Sequence, residues 1–379
     1  MMAKVKNWQL KREMAYKYEA APPKRQIAYV FDTNKCIACQ TCTVACKTTW
    51  TSGEGEEHMW WNNVESKPFG FYPLAWDVKI LEKLKRQSWS AEGAYVGETI
   101  FEAASEGEEV LGYMPAKEDW AHPNLGEDEI NAPIGDITSM STEGGTGAHD
   151  RWMFYLARIC NHCSSPACLA ACPRQAIYKR PEDGIVLLDQ ERCRGYQKCV
   201  QACPYKKPMF NPKAGKSEKC IACYPLIEKG IAPRCVQTCI GKIRMTGFIN
   251  TPDKADADNP MDYLVHVAKV AVPLLPQLGT APNVYYIPPI HVDKTYLSQM
   301  FGPGAGEAVE TYKRRDPKTV GLLTLFGCTD HWVDKFKVEK GMATGYQDGK
   351  ELVSVPVKEP IVFRAFRDEK LGVNRQSVT

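Results

Sequence analysis

Three observations predict an α+β fold for this chain of 379 residues. Fifteen of its sixteen cysteines fall in four tight groups flanked by short β-like runs. A long segment without cysteine separates the first group from the other three. Beyond residue 250 cysteine is almost gone, and apolar residues recur at helical spacing instead.

Taken in order, Ile27–Phe31 reads as a strand leading into the first cysteine group. Residues 47–159 form an insertion rich in aromatic, glycine and acidic residues, with Glu127–Glu129 and Gly144–Gly147 reading as surface loop. Ala176–Lys179 and Ile185–Asp189 read as strands of a hairpin turning at Asp183-Gly184. Helices are predicted at Leu297–Phe301, Gly306–Lys313 and Val320–Leu325, around the break at Gly302-Pro303-Gly304, so the extension 251–379 is expected to be mostly helical.

Composition removes several function classes. The net charge of +3 is small and spread along the chain, which argues against nucleic-acid binding. Met1–Arg25 is charged throughout and lacks the apolar stretch of a signal peptide. The most apolar window, Tyr263–Leu278, is broken by His266, Lys269, Pro273 and Pro276, so no membrane span is expected.

The cysteine spacings carry the chemistry. The groups are Cys36-x2-Cys39-x2-Cys42-x3-Cys46, Cys160-x2-Cys163-x4-Cys168-x3-Cys172-Pro173, Cys193-x5-Cys199-x3-Cys203-Pro204 and Cys220-x2-Cys223-x11-Cys235-x3-Cys239. A disulfide framework belongs to short secreted domains and needs no repeated two-residue gaps. Zinc sites prefer isolated Cys-x-x-Cys pairs separated by a loop. Dense runs of four thiols, some closed by proline, are what iron–sulfur clusters require.

Each group ends in Cys-x3-Cys, which places its last thiol one helical turn beyond the previous one and able to face a second cluster. In two-cluster ferredoxins the fourth cysteine of a run ligates the other cluster, so the groups work in pairs. Groups two and three, adjacent and both ending in Cys-Pro, make one ferredoxin-like module over 160–204. Groups one and four make another, split between 26–46 and 205–250 around the first. The expected ligand sets are Cys36, Cys39, Cys42 and Cys239; Cys46, Cys220, Cys223 and Cys235; and Cys160, Cys163, Cys168 and Cys203, each for a 4Fe–4S cluster.

The fourth set has only Cys172, Cys193 and Cys199, because Tyr196 stands where the spacing calls for a thiol. Three thiolates beside a bulky ring favour a 3Fe–4S cluster. A four-iron cluster with water or the phenolate as its last ligand is the other form.

The run CNHCSSPACLAACPRQAIYKRPEDGIVLLDQERCRGYQKCVQACPYKK, with GKSEKCIACYPLIEKG and VQTCIGKIR, resembles the four-cluster β subunits of the nitrate reductase-like branch of the DMSO reductase molybdoenzyme family. An aromatic residue at the position of Tyr196 is a mark of that branch. NWQLKREMAYKYE and MWWNNVESKPFGFYP look most like nitrite oxidoreductase β subunits, although some of those have Asp where this chain has Cys46. Asn283–Pro289 with Phe301–Gly304 also resembles ethylbenzene dehydrogenase-type β subunits.

The resemblance implies an electron-transfer subunit, not itself catalytic, between a molybdenum bis-pterin catalytic α subunit and a haem b γ subunit or cytochrome. It implies nitrite oxidation or nitrate reduction by the partner. The alternative is the same role in a selenate, perchlorate, chlorate, dimethyl sulfide or hydrocarbon enzyme. An extracytoplasmic location, reached with the partner, is favoured over the cytoplasmic face of the membrane.

Other residues have plainer readings beside functional ones. His162, between Cys160 and Cys163, either donates to cluster sulfur or simply covers the cluster. Lys206, Lys207, Lys213, Lys216 and Lys219 are expected to offset the negative clusters beside them rather than to form a docking patch. Trp60, Trp61 and Trp76 are expected at an interface within the partner-contacting insertion. Cys328 is expected to be a buried core thiol.

Overall fold

The run Gln26–Asp32 is apolar on both faces of its pleat, and a strand of that kind belongs inside a sheet. In the computed structural model, which describes residues 3–68, 72–121 and 152–357 and the strands Ala365–Asp368 and Val373–Gln376, it is the centre of a four-stranded mixed sheet. Arg244–Ile249 pairs with it antiparallel and Val284–Ile287 parallel, with Val272–Pro273 at the far edge.

Alternation along this strand divides the molecule. Ile27, Tyr29 and Phe31 enter the core that also holds Cys42, Cys203 and Cys235. Ala28 and Val30 enter a second core with Met245 of the neighbouring strand and with Leu264, Leu322 and Phe336 from the C-terminal extension. Successive side chains of a strand point to opposite faces, so one strand backs the cysteine groups and anchors the extension at once.

The insertion is sewn into this frame. Its strand Asn63–Lys67 is buried throughout and pairs antiparallel with Phe154–Arg158. Trp76 is fully buried and Trp61 nearly so, which corrects their expected place on an interface. Trp76 gives its indole N–H to Glu65 Oε1 at 2.7 Å, so its polar edge is satisfied inside the chain. The loops expected at Glu127–Glu129 and Gly144–Gly147 lie outside the described residues.

The hairpin expected between the second and third cysteine groups is present as Ile177–Lys179 with Val186–Leu188. Helices form at Lys294–Phe301, Ala305–Arg314 and Pro317–Thr324. Asp293 caps the first by accepting from Thr295 and Tyr296 N–H, and Asp316 caps the third ahead of Pro317. The extension is nevertheless not mostly helical. It supplies two strands of the central sheet and a meander of Lys335–Glu339, Met342–Gln347 and Lys350–Pro356. The missed signal is the two-residue alternation of Phe336 and Val338, with Gly341 and Gly349 at positive φ in the turns.

Cys328 is only half-buried, its thiol donating to Thr324 O at 3.1 Å, so it is not a core thiol. No helix among the described residues is long and apolar enough to cross a membrane.

Candidate metal centres

Fifteen cysteines line four cavities, and each cavity draws on two of the sequence groups. The first is lined by Cys36, Cys39, Cys42 and Cys239. The chain bends around it because Ala38 and Gln40 adopt positive φ, at 54° and 57°. The helix Thr41–Trp50 then begins, carrying Cys42 and Cys46 one turn apart. Cys42 faces the first cavity, whereas Cys46 joins Cys220, Cys223 and Cys235 around the second. The exchange is reciprocal, since Cys235 lies on the short helix Arg234–Gln237 and Cys239, just past its end, returns to the first cavity.

The third cavity is lined by Cys160, Cys163, Cys168 and Cys203. Cys172, Cys193 and Cys199 line the fourth, with Tyr196 on its wall and 61% exposed, so the ring stands at the solvent side. Here too the last cysteine of each group crosses to the neighbouring cavity.

The sulfur atoms are surrounded by donors. Trp50 Nε1 donates to Cys223 Sγ at 3.1 Å and Arg244 Nη2 to Cys42 Sγ at 3.0 Å. Backbone N–H groups of Ala176, Ala222 and Ile243 reach Cys172, Cys220 and Cys239 at 3.3, 3.4 and 3.5 Å. Donors directed at sulfur favour its anionic form and tune a bound metal.

Several of these thiols do not ionise readily in their places. Burial pushes Cys36 up to about 12 and Cys199 up to about 11, with neighbouring thiols adding repulsion. The second cavity brings four buried thiols around one space, and thiolates gathered so closely require a strongly cationic centre, which deprotonates its ligands outright. Among the described residues no His, Cys, Asp or Glu side chains converge tightly enough to hold a single metal ion. Three or four thiols around each cavity, supplied by two dense runs, suit a cluster with thiolates around it.

His162 lines the third cavity and is 1% exposed. Its Nδ1 accepts from Val186 N–H at 3.1 Å, which puts the ring proton on Nε2, a buried atom with no partner within the chain. Burial, with Lys219 nearby, holds its pKa well below the usual range, so the ring is neutral.

The basic stretch separates into two kinds. Lys206, Lys207 and Lys219 are buried, whereas Lys213 is exposed and Lys216 half-exposed. Lys206 Nζ donates to carbonyls of Tyr113, Val200 and Gln201, and Lys207 Nζ to Asn63 Oδ1 at 2.6 Å. Lys207 and Lys219 both line the third cavity.

Sequence reasoning missed three features here. Trp50 and Arg244 gave no signal beyond standing a few residues after a cysteine group. The third is a buried charge network in which Glu65 meets Lys67 at 3.2 Å and Arg158 at 3.0 Å, while Lys67 reaches Asp77 at 2.5 Å. Its members come from opposite ends of the insertion, Glu65, Lys67 and Asp77 near one and Arg158 at the other, so no local pattern marks them.

Residues 151–249 match the family described as a 4Fe-4S dicluster domain. The chain is 45% identical over 315 residues to the chlorate reductase subunit beta of Ideonella dechloratans, covering 76% of this chain and 90% of that one. It is 45% identical to the selenate reductase subunit beta of Thauera selenatis, with the same coverage. It is 41% identical to the respiratory nitrate reductase subunit beta of Haloferax mediterranei over 77% of this chain and 86% of that one.

Proposed function

Because the chain belongs to the iron–sulfur β subunits of the nitrate reductase-like branch of the DMSO reductase molybdoenzyme family, we propose that it holds four clusters in two interlocked modules. It is an electron-transfer subunit of a molybdoenzyme complex and works with a catalytic α subunit. In the proposed arrangement its electrons pass between that subunit's molybdenum bis-pterin and a haem-containing subunit or cytochrome.

The observation that carries this reading is the convergence of fifteen cysteines on four cavities, with one thiol exchanged in each direction between neighbours. Cys36, Cys39, Cys42 and Cys239 hold one 4Fe–4S cluster; Cys46, Cys220, Cys223 and Cys235 another; Cys160, Cys163, Cys168 and Cys203 a third. Cys172, Cys193 and Cys199 hold a 3Fe–4S cluster, a reading supported by Tyr196 on the wall of that cavity. The exchange supports one module over 160–204 and one split between 26–46 and 205–250.

Bound clusters supply one-electron carriage at potentials the protein tunes. The chain's part is to fix fifteen thiolates rigidly and to set the field around them. Trp50 and the backbone amides donate to ligand sulfur, and the free Nε2–H of His162 supports reading it as a donor to sulfur in the third site.

The first site is proposed to face the catalytic subunit and the fourth the haem. In support, Ile37 and Ile240 beside the first site are 54% and 65% exposed, as an apolar docking rim would be. Nitrite or nitrate is the proposed substrate of the partner, and the extracytoplasmic side the proposed location. Relatives named for chlorate and selenate are similar to the same degree as each other, which fits a substrate chosen in the catalytic subunit.

The test is purification of the complex from its native source with iron, sulfide and EPR analysis. About fifteen irons per chain, an oxidised-state signal from a three-iron cluster, and co-elution of a molybdenum subunit are expected. Zinc in place of iron would overturn the reading.

A further inference from the structure

Arg244 opens the strand Arg244–Ile249 and is 1% exposed. Its guanidinium lies over the Phe31 ring at 4.4 Å from the centroid. Nη2 donates to Cys42 Sγ at 3.0 Å and to Asn62 Oδ1 at 3.3 Å. Nε and Nη1 are buried and have no partner within the chain. The helix Arg234–Gln237, which carries Cys235, packs against the strand that Arg244 opens, and Cys42, Cys235, Cys239 and Cys36 are among the thiols that feel its charge.

These thiols belong to two sites. Cys36, Cys42 and Cys239 line the first cavity, which Arg244 also lines, and Cys235 lines the second. A guanidinium does not lose its proton, so a full positive charge is fixed at the junction of the two sites. Such a charge is strongly unfavourable in a protein interior unless anions and acceptors surround it. Two of its nitrogens lack acceptors in the polypeptide alone. Thiolate and sulfide are acceptors of the right charge, and a planar fork can address several sulfurs at once.

We propose that Arg244 is a shared potential-setting residue, donating to sulfur at the site of Cys36, Cys39, Cys42 and Cys239 while holding one positive charge between it and the site of Cys46, Cys220, Cys223 and Cys235. The proposal rests on the cluster reading above. A cation near a cluster stabilises the more negative, reduced form, so Arg244 raises both potentials. It lines neither the third nor the fourth cavity, and those two potentials are expected to stay where they are.

The experiment is an EPR-monitored redox titration of the intact complex with Arg244→Gln, Arg244→Lys and Asn62→Asp. Arg244→Gln keeps a donor and removes the charge. It is expected to shift the first two potentials negative by about tenfold in the reduction equilibrium, about 59 mV for one electron, with the other two unmoved. Arg244→Lys should restore most of the shift. Asn62→Asp places a carboxylate against the intact guanidinium and should move the same two potentials negative by less.

If Arg244→Gln fails to load iron, Asn62→Asp decides, and unmoved potentials in it overturn the proposal. Potentials that stay put in Arg244→Gln, or all four shifting together, also overturn it. Iron and sulfide in the wild-type preparation keep the two levels apart. A wild type without iron overturns the cluster reading and this proposal with it, whereas replete protein with unmoved potentials overturns the proposal alone.

Discussion

Trp50 donates its indole N–H to Cys223 Sγ at 3.1 Å across 173 residues of chain. Trp50 ends the helix that carries Cys42 and Cys46 of the first cysteine group, and Cys223 belongs to the last group, so this bond ties the first group to the last at one sulfur. Trp50→Phe keeps most of the packing and removes the donor. A hydrogen bond to a charged acceptor contributes roughly 1.5 kcal/mol or more. The potential of the second site should fall by about 40 to 60 mV, read by redox titration, while the fourth site stays unchanged.

Tyr196 lines the cavity of Cys172, Cys193 and Cys199. Tyr196→Cys supplies the missing thiol and should convert that site from three irons to four. Iron should rise by about one per chain, the oxidised-state EPR signal should vanish, and the potential should fall. Tyr196→Phe keeps the ring and loses the phenol. Retention of the three-iron signal in that variant is expected, and its loss would point to a phenolate ligand.

Lys67 is fully buried between Glu65 and Asp77, with Arg158 on the far side of Glu65. Lys67→Met leaves Glu65 paired with Arg158 but strips Asp77 of its cation, and breaking a buried pair from one side costs about 3 to 5 kcal/mol. Denaturant unfolding of the loaded chain should show that loss. Lys67→Met combined with Asp77→Leu should lose less than Lys67→Met alone, because the orphaned charge is removed with its partner.

His266 Nε2–H donates to Asn250 O at 2.9 Å, and the ring packs edge-on against Trp8 at 5.0 Å. Burial lowers its pKa from the ordinary value, with Asp262 opposing that shift. A lowered folded pKa means the unfolded chain binds more protons, so this contribution to stability is whole above about 6.5 and declines as pH falls below it. Thermal unfolding followed between about pH 8 and pH 5.5 should lose stability on the acid side. His266→Asn should flatten that part of the slope.

Cysteine spacing is a local property, and it carried a great deal. Ala38 and Gln40, or Gly195 and Gln197, turn the chain at positive φ between thiols a few residues apart, so a short run must wrap a common space. The Cys42-x3-Cys46 step is one helical turn, which fixes that consecutive thiols serve different cavities. The strand Gln26–Asp32 and the three helices after residue 290 were legible for the same reason, since their periodicity repeats within one element.

Burial of Trp76, the tautomer of His162 and the charge held at Arg244 were not legible. Each depends on a partner supplied by another element: Glu65 for the first, Val186 for the second, Cys42 and Cys235 for the third. The C-terminal meander belongs with these, because its strands are short and two of them pack against the helix Pro317–Thr324 in the second core. The sequence by itself determined which thiols line a common cavity, because bond geometry limits what neighbouring residues reach. Only the tertiary structure decided which charges and donors surround those centres, because burial and pairing arise between segments whose approach no local pattern encodes.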